Sequence, residues 1–187
     1  MAEADYSRLP ADLPVPVDDG ACAHLPGTLL PAVLLPSTTG TAIELARWPG
    51  RLVVYCYPMT GQPGVPLPPG WDTIPGARGC TPQACAFRDH YAELRALGVE
   101  VFGLSTQDTA SQREARERLH LPFPLLSDHQ LHFARALRLP TFEVEGRAFL
   151  KRLTLIARNG RIEHVFYPVF PPNQNAEQVV HWLREHP

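Results

Sequence analysis

The chain has 187 residues, 44% of them hydrophobic and 19% charged, with a formal net charge of −2. That is enough chain for one domain with a well-buried core, and the charge supplies no polycationic surface, so neither nucleic acid nor membrane is expected as a partner. The N-terminus has no basic region followed by an apolar run, and no stretch approaches about 18 uninterrupted apolar residues, so export and membrane spanning are not indicated and a cytoplasmic location is expected.

Residues 1–25 carry prolines and acids without apolar periodicity and read as a loosely ordered N-terminal segment, with a single domain over 26–187. "LLPAVLLP" and "TAIEL" read as short extended segments around a turn, and "RLVVYCYP", β-branched and aromatic, as a buried strand. Cys56 inside that strand reads as a small buried apolar residue. Residues 59–79 are dense in glycine and proline and form a long loop, of a length that compact domains keep for function or leave disordered. Trp71 and Ile74 near its end should pack onto the body.

Beyond the loop, Ala84, Phe87, Tyr91, Leu94 and Leu97 recur at threes and fours, which predicts an amphipathic helix over 81–97, with Pro82 in its first turn and Gly98 as its stop. A strand at "VEVFGLST", a helix over 109–120, a short strand at "FPLLSD" and a helix at "HQLHFARALRL" follow. "FLKRLTLIA" and "RIEHVFYPV" form a hairpin turning at Asn159 and Gly160, and "NAEQVVHWLREH" closes the chain as a helix. This order implies an α/β fold, a mixed central sheet flanked by helices on both faces.

The stretch "GCTPQACAFRDH", residues 79–90, holds two of only four cysteines. A reducing compartment disfavours a structural disulfide and leaves metal binding or catalysis. Cys80 falls where loop becomes helix, and the unpaired N–H groups and positive dipole end of a helix start favour thiolate over thiol. That placement suits a nucleophile. Cys85 lies on a different face of the same helix; in an intact helix the two Cα atoms stand roughly 8 to 9 Å apart, beyond the disulfide limit of about 7 Å, so linkage requires the first turns to unwind. Other readings stay open. A zinc site would use Cys80, Cys85, His90 and a distant fourth ligand, although no second cysteine pair accompanies them, and His129 and His132 read as surface histidines. A thioredoxin-type exchanger would require C-x-x-C. Two unrelated buried cysteines are the third reading.

In their order and spacing, "LVVYCYP", "GCTPQACAFRD", "VFGLST", "PLLSD", "RLTLIARNGRIEHVF" and "VVHWLREH" resemble the peroxiredoxin family, and within it the peroxiredoxin Q or bacterioferritin comigratory protein group, from about residue 26 to the end. The resemblance implies a thioredoxin-like fold and a thiol peroxidase that needs no metal or organic cofactor. It implies that Cys80 is the peroxidatic cysteine, attacking a hydroperoxide and becoming a sulfenic acid, and that Cys85 is the resolving cysteine of the same chain. It gives Arg152, in "KRLT", the task of holding the thiolate and polarising the peroxide; on sequence alone Arg152 reads as a surface strand charge. Pro58 matches the proline that opens the family's active-site loop. Thioredoxin or a similar dithiol would reduce the disulfide, and the chain is expected as a monomer, with a homodimer as the alternative.

The family pattern Pro-x-x-x-Thr-x-x-Cys is broken here, because Ala77 stands three positions before Cys80 and the loop is longer by about fifteen residues. The missing hydroxyl would come from Thr73, Thr60 or Thr81, with Thr73 preferred because it lies in the loop end that Trp71 and Ile74 anchor. Arg78 would add positive charge beside the thiolate. The alternative from another class is a non-catalytic redox-sensing or interaction module on the same fold, with the long loop as its binding surface.

Overall fold

The computed structural model describes residues 6–187. In chain order, β1 (Leu34–Pro36) and β2 (Ala42–Glu44) pair as a short hairpin, and β3 (Arg51–Cys56) runs into the long loop. Then come α1 (Cys80–Asp89), α2 (Tyr91–Ala96), β4 (Val99–Ser105), α3 (Thr109–Arg118), β5 (Leu125–Ser127) and α4 (His132–Leu137). A second hairpin, β6 (Thr141–Val144) and β7 (Arg147–Leu150), precedes β8 (Leu153–Arg158), β9 (Arg161–Phe166) and α5 (Asn175–Glu185).

The main sheet has the order β5-β4-β3-β8-β9. β3 lies at its centre, parallel to β4 and antiparallel to β8. A central strand covered on both faces must be apolar on both, which is why "LVVYC" lacks polar alternation. Leu52, Val54 and Cys56 enter a core with Phe102, Phe133 and Leu137, so α4 covers that face. Val53 and Tyr55 enter the other core with Ala84 and Phe87 of α1, Leu94 of α2, Ala115 of α3 and Val179 of α5. Phe87 stacks on Tyr55 with ring centroids 4.6 Å apart, tying the C-terminal half of α1 to the sheet.

Three elements depart from the sequence expectation. The helix over 81–97 is two helices, because His90, with φ −93° and ψ 3°, leaves the helical region between α1 and α2. "FLKRLTLIA" is not one strand. Phe149 and Leu150 belong to β7 and pair with β6, whereas Leu153 pairs with Cys56 of β3, so Lys151 and Arg152 form the junction where the chain changes partners. Residues 6–25 are pinned to the body at particular points rather than loosely attached: Cys22 and Leu25 are buried in the core, and the Asp19 carboxylate accepts from Lys151 Nζ at 3.1 Å and from the Tyr167 hydroxyl at 2.9 Å. These bonds hold the Asp19 carboxyl at about 2, Lys151 contributing most. An extended proline-rich chain touches the body at isolated residues, without the period that would announce it.

Replacing Phe87 with alanine would empty the contact between α1 and Tyr55. Phe87→Ala is expected to lower stability by about 3 to 5 kcal/mol, seen as a lower urea midpoint at unchanged slope.

Candidate active site

Cys80 is the first residue of α1, and Gly79 before it has φ 106°, a left-handed conformation that glycine takes without strain. A side chain there would also collide, since a Cβ would stand 2.5 Å from Pro172 and 2.7 Å from Leu9. The turn delivers the sulfur of Cys80, a residue 3% exposed, to the guanidinium of Arg152, a residue also 3% exposed. Arg152 Nη2 donates to Sγ at 3.1 Å and to the carbonyls of Ala77 and Arg78 at 3.2 Å each. The Cys80 thiol donates to the same Ala77 carbonyl at 3.7 Å.

Behind this contact lies a buried polar network. Arg152 Nη1 donates to Gln83 Oε1, and Gln83 Nε2 donates to Asn175 Oδ1 at 3.1 Å. Asn175 Oδ1 also accepts from the Thr154 hydroxyl at 2.7 Å. Gln83 is one turn from Cys80 on α1, Thr154 lies on β8, and Asn175 begins α5, so three elements fix one guanidinium. A buried cation held this way stabilises negative charge that develops beside it. Arg152 Nε has no partner among the described residues.

The cavity beside Sγ is only about 10 Å³, lined by Tyr6, Met59, Trp71, Arg78 and Thr81 among others. The Thr81 hydroxyl is buried and unpartnered. Arg78 pairs with Asp72 at 3.1 Å, and its guanidinium carbon is 5.2 Å from the Tyr6 ring centroid.

All four cysteines are free thiols. Cys85 is half-buried, and burial raises its thiol above the ordinary range, with Asp89 adding and Arg88 opposing. Cys22 is pushed up to about 12, by burial and then by Asp19 and Asp18. Burial raises Cys56 well above the ordinary value too. Both are held protonated in the core. α1 is intact from Cys80 to Asp89, so Cys80 and Cys85 stand about one and a half turns apart.

The Redoxin family profile matches residues 25–180. "Peroxiredoxin Bcp" of Escherichia coli (strain K12) is 32% identical over 86% of this chain and 96% of its own length. The chain belongs to the peroxiredoxin family. "Peroxiredoxin Q, chloroplastic" of Oryza sativa subsp. japonica is 30% identical over 84% of this chain, which spans 66% of that protein's length. The crystal structure of "Peroxidoxin BcpB" from Mycobacterium tuberculosis superposes with a TM-score of 0.71 at 25% identity, covering 88% of this chain and 99% of that one. The fold is therefore the thioredoxin-like one of peroxiredoxins.

In this peroxiredoxin the site gathers Cys80 and Arg152 but not Thr73. The Thr73 side chain is exposed, its hydroxyl donates to the Gly70 carbonyl at 2.7 Å, and it does not line the cavity. Thr60 is also committed elsewhere, donating to Gln107 Oε1 at 3.2 Å. Thr81 alone of the three candidates borders the sulfur's cavity. Pro58 is buried where β3 gives way to the loop. Trp71 does anchor the loop, with its ring centroid 5.0 Å from that of Phe149. His129 and His132 are exposed, and no group of three or more metal-binding side chains gathers among the described residues. Gln83, which sequence reasoning passed over, carried one local signal: three positions after Cys80, it shares that residue's helix face.

Arg152→Met would keep the stem and remove the donors, orphaning Gln83 Oε1 and two carbonyls. Loss of such a buried charged network is expected to cost roughly 2 to 4 kcal/mol. At neutral pH, iodoacetamide labelling of Cys80, followed by peptide mass spectrometry, should slow by about ten-fold, the equivalent of one 1.4 kcal/mol interaction with the charged sulfur.

Proposed function

We propose that this chain is a thiol peroxidase acting on hydrogen peroxide and organic hydroperoxides, with Cys80 as peroxidatic and Cys85 as resolving cysteine. The observation that carries the proposal is the contact of Arg152 with Cys80 Sγ at the mouth of α1. A nucleophilic sulfur needs its charge stabilised and its approach aligned, and one buried guanidinium supplies both.

The chemistry follows the oxidation ladder of cysteine. The Cys80 thiolate attacks the terminal oxygen of the hydroperoxide, an S–O bond forms and the O–O bond breaks. The electron pair leaves on the alkoxide or hydroxide, which takes up a proton from solvent. Cys85 then attacks the sulfenic sulfur, releasing water and forming an S–S bond. Two electrons and two protons from thioredoxin or a similar dithiol restore both thiols. The Thr81 hydroxyl, unpartnered in a residue that borders the cavity beside Cys80, is the donor left to polarise the O–O bond, so Thr81 replaces Thr73 in this role.

A monomer is taken as the working unit, with a homodimer as the alternative. No helix among the described residues is long and apolar enough to cross a membrane. A reducing, cytoplasmic location suits a cycle that ends in dithiol reduction.

In a coupled assay with a thioredoxin system, Cys80→Ser is expected to consume no peroxide, while Cys22→Ser and Cys56→Ser keep most of the parent rate. Turnover in Cys80→Ser would overturn the assignment of Cys80, and a parent that consumes no peroxide would leave the redox-sensing or interaction module as the better reading. Because hydrogen bonds to charged groups contribute about 1.5 to 3 kcal/mol, Thr81→Val should slow peroxide reduction by roughly ten-fold or more, and Thr73→Val should react at the parent rate.

A further inference from the structure

Residues 6–24 lie outside the span matched by the Redoxin profile. Two of them nevertheless stand on the mouth of the Cys80 site. Tyr6 lines the cavity beside the sulfur. Its ring lies against Gly61, where a Cβ would come within 3.1 Å of three ring carbons. Its hydroxyl donates to the Val65 carbonyl at 3.0 Å, and the Arg78 guanidinium sits 5.2 Å from its centroid. Leu9 packs close above Gly79, at the residue before Cys80. Further along, Asp19 ties the same segment to Lys151 and Tyr167.

Gly61, Val65 and Arg78 all belong to the long loop, whose extra length the family pattern does not have. The insertion and the N-terminal segment therefore meet at one ring. With Tyr6 in place the cavity of about 10 Å³ has the room of about one water molecule. The smallest hydroperoxide has two oxygens in a row, and an organic one adds carbon behind them. Entry requires the ring to yield, and by more for a bulkier molecule.

We propose that Tyr6 is a specificity-determining residue, a gate that grades hydroperoxides by size before they reach Cys80. Its substrate class rests on the peroxidase reading; its closure over the thiol does not. Among the described residues, a neutral hydrogen bond, a cation–π contact and packing on a glycine hold the ring. Removing them should raise the population of the open mouth by roughly ten-fold or more.

The test uses the full chain as parent, Tyr6→Ala and Tyr6→Phe, labelled at Cys80 with iodoacetamide or with a fluorescein maleimide and read by peptide mass spectrometry. In parallel, rates of Cys80 oxidation are taken with hydrogen peroxide and cumene hydroperoxide. Tyr6→Ala is expected to speed maleimide labelling of Cys80 about ten-fold or more and iodoacetamide labelling less than about three-fold, because the small reagent needs a smaller opening. Cumene hydroperoxide should gain on hydrogen peroxide in the same sense, and Tyr6→Phe, which keeps the ring but not the bond to Val65, should fall between. An unchanged maleimide-to-iodoacetamide ratio at Cys80 in Tyr6→Ala overturns the gate. So does an equal rise at Cys22 and Cys56, which would mark general loosening of the fold. A changed labelling ratio in a protein that consumes neither peroxide upholds the gate and rejects the peroxidase reading instead.

Discussion

A guanidinium buried beside a sulfur is the constraint around which this molecule is built. Arginine carries a permanent charge and five N–H donors, and removing it from water is costly unless those donors are met. Much of the local architecture serves that need. Gln83 faces inward from α1, the loop turns the Ala77 and Arg78 carbonyls toward Nη2, and the start of α5 presents Asn175 to brace Gln83. Gly79 follows from the same geometry, since the chain must pass from those inward carbonyls into α1 beneath Pro172 and Leu9. Arg152 itself stands at the β7 to β8 junction, where the chain changes partners.

The proposed cycle asks one helix to serve two stages, and the same arrangement suits it to that. The C-terminal half of α1 is tied to the sheet by Ala84 and Phe87. In its first turn Gln83 and Cys80 are both gripped by Arg152, and Pro82 contributes no N–H. While the sulfur is anionic the grip is charge-assisted. In the proposed cycle, conversion to a neutral sulfenic acid would weaken it and lower the cost of opening the turns that separate Cys80 from Cys85. Cys85, half-buried, packs at the margin of the core that holds Phe87.

The parts of this structure legible in the sequence are those whose signal is local. β3, the hairpin at Asn159 and Gly160, the start of α1 and the pair Cys80 and Cys85 all announce themselves through period, turn residues or spacing. Arg152 did not, because "FLKRLTLIA" reads as one strand with an exposed charge, and only the change of partners from β6 to β3 buries it. Thr73 was misplaced for a related reason. Nearness to Trp71 in the chain fixes the backbone but not the hydroxyl, which bonds back to Gly70 within a tight turn. Asn175 and Tyr6 come from the ends of the chain, and nothing in their neighbours' pattern points to Cys80.

The most direct test of the central claim is to treat the reduced protein with one equivalent of hydrogen peroxide, digest it under non-reducing conditions and identify the partner of Cys80 by mass spectrometry. The account predicts a Cys80–Cys85 linkage within one chain. A Cys80 left unmodified while another cysteine is oxidised, or linked to Cys22, Cys56 or a second chain, would contradict it.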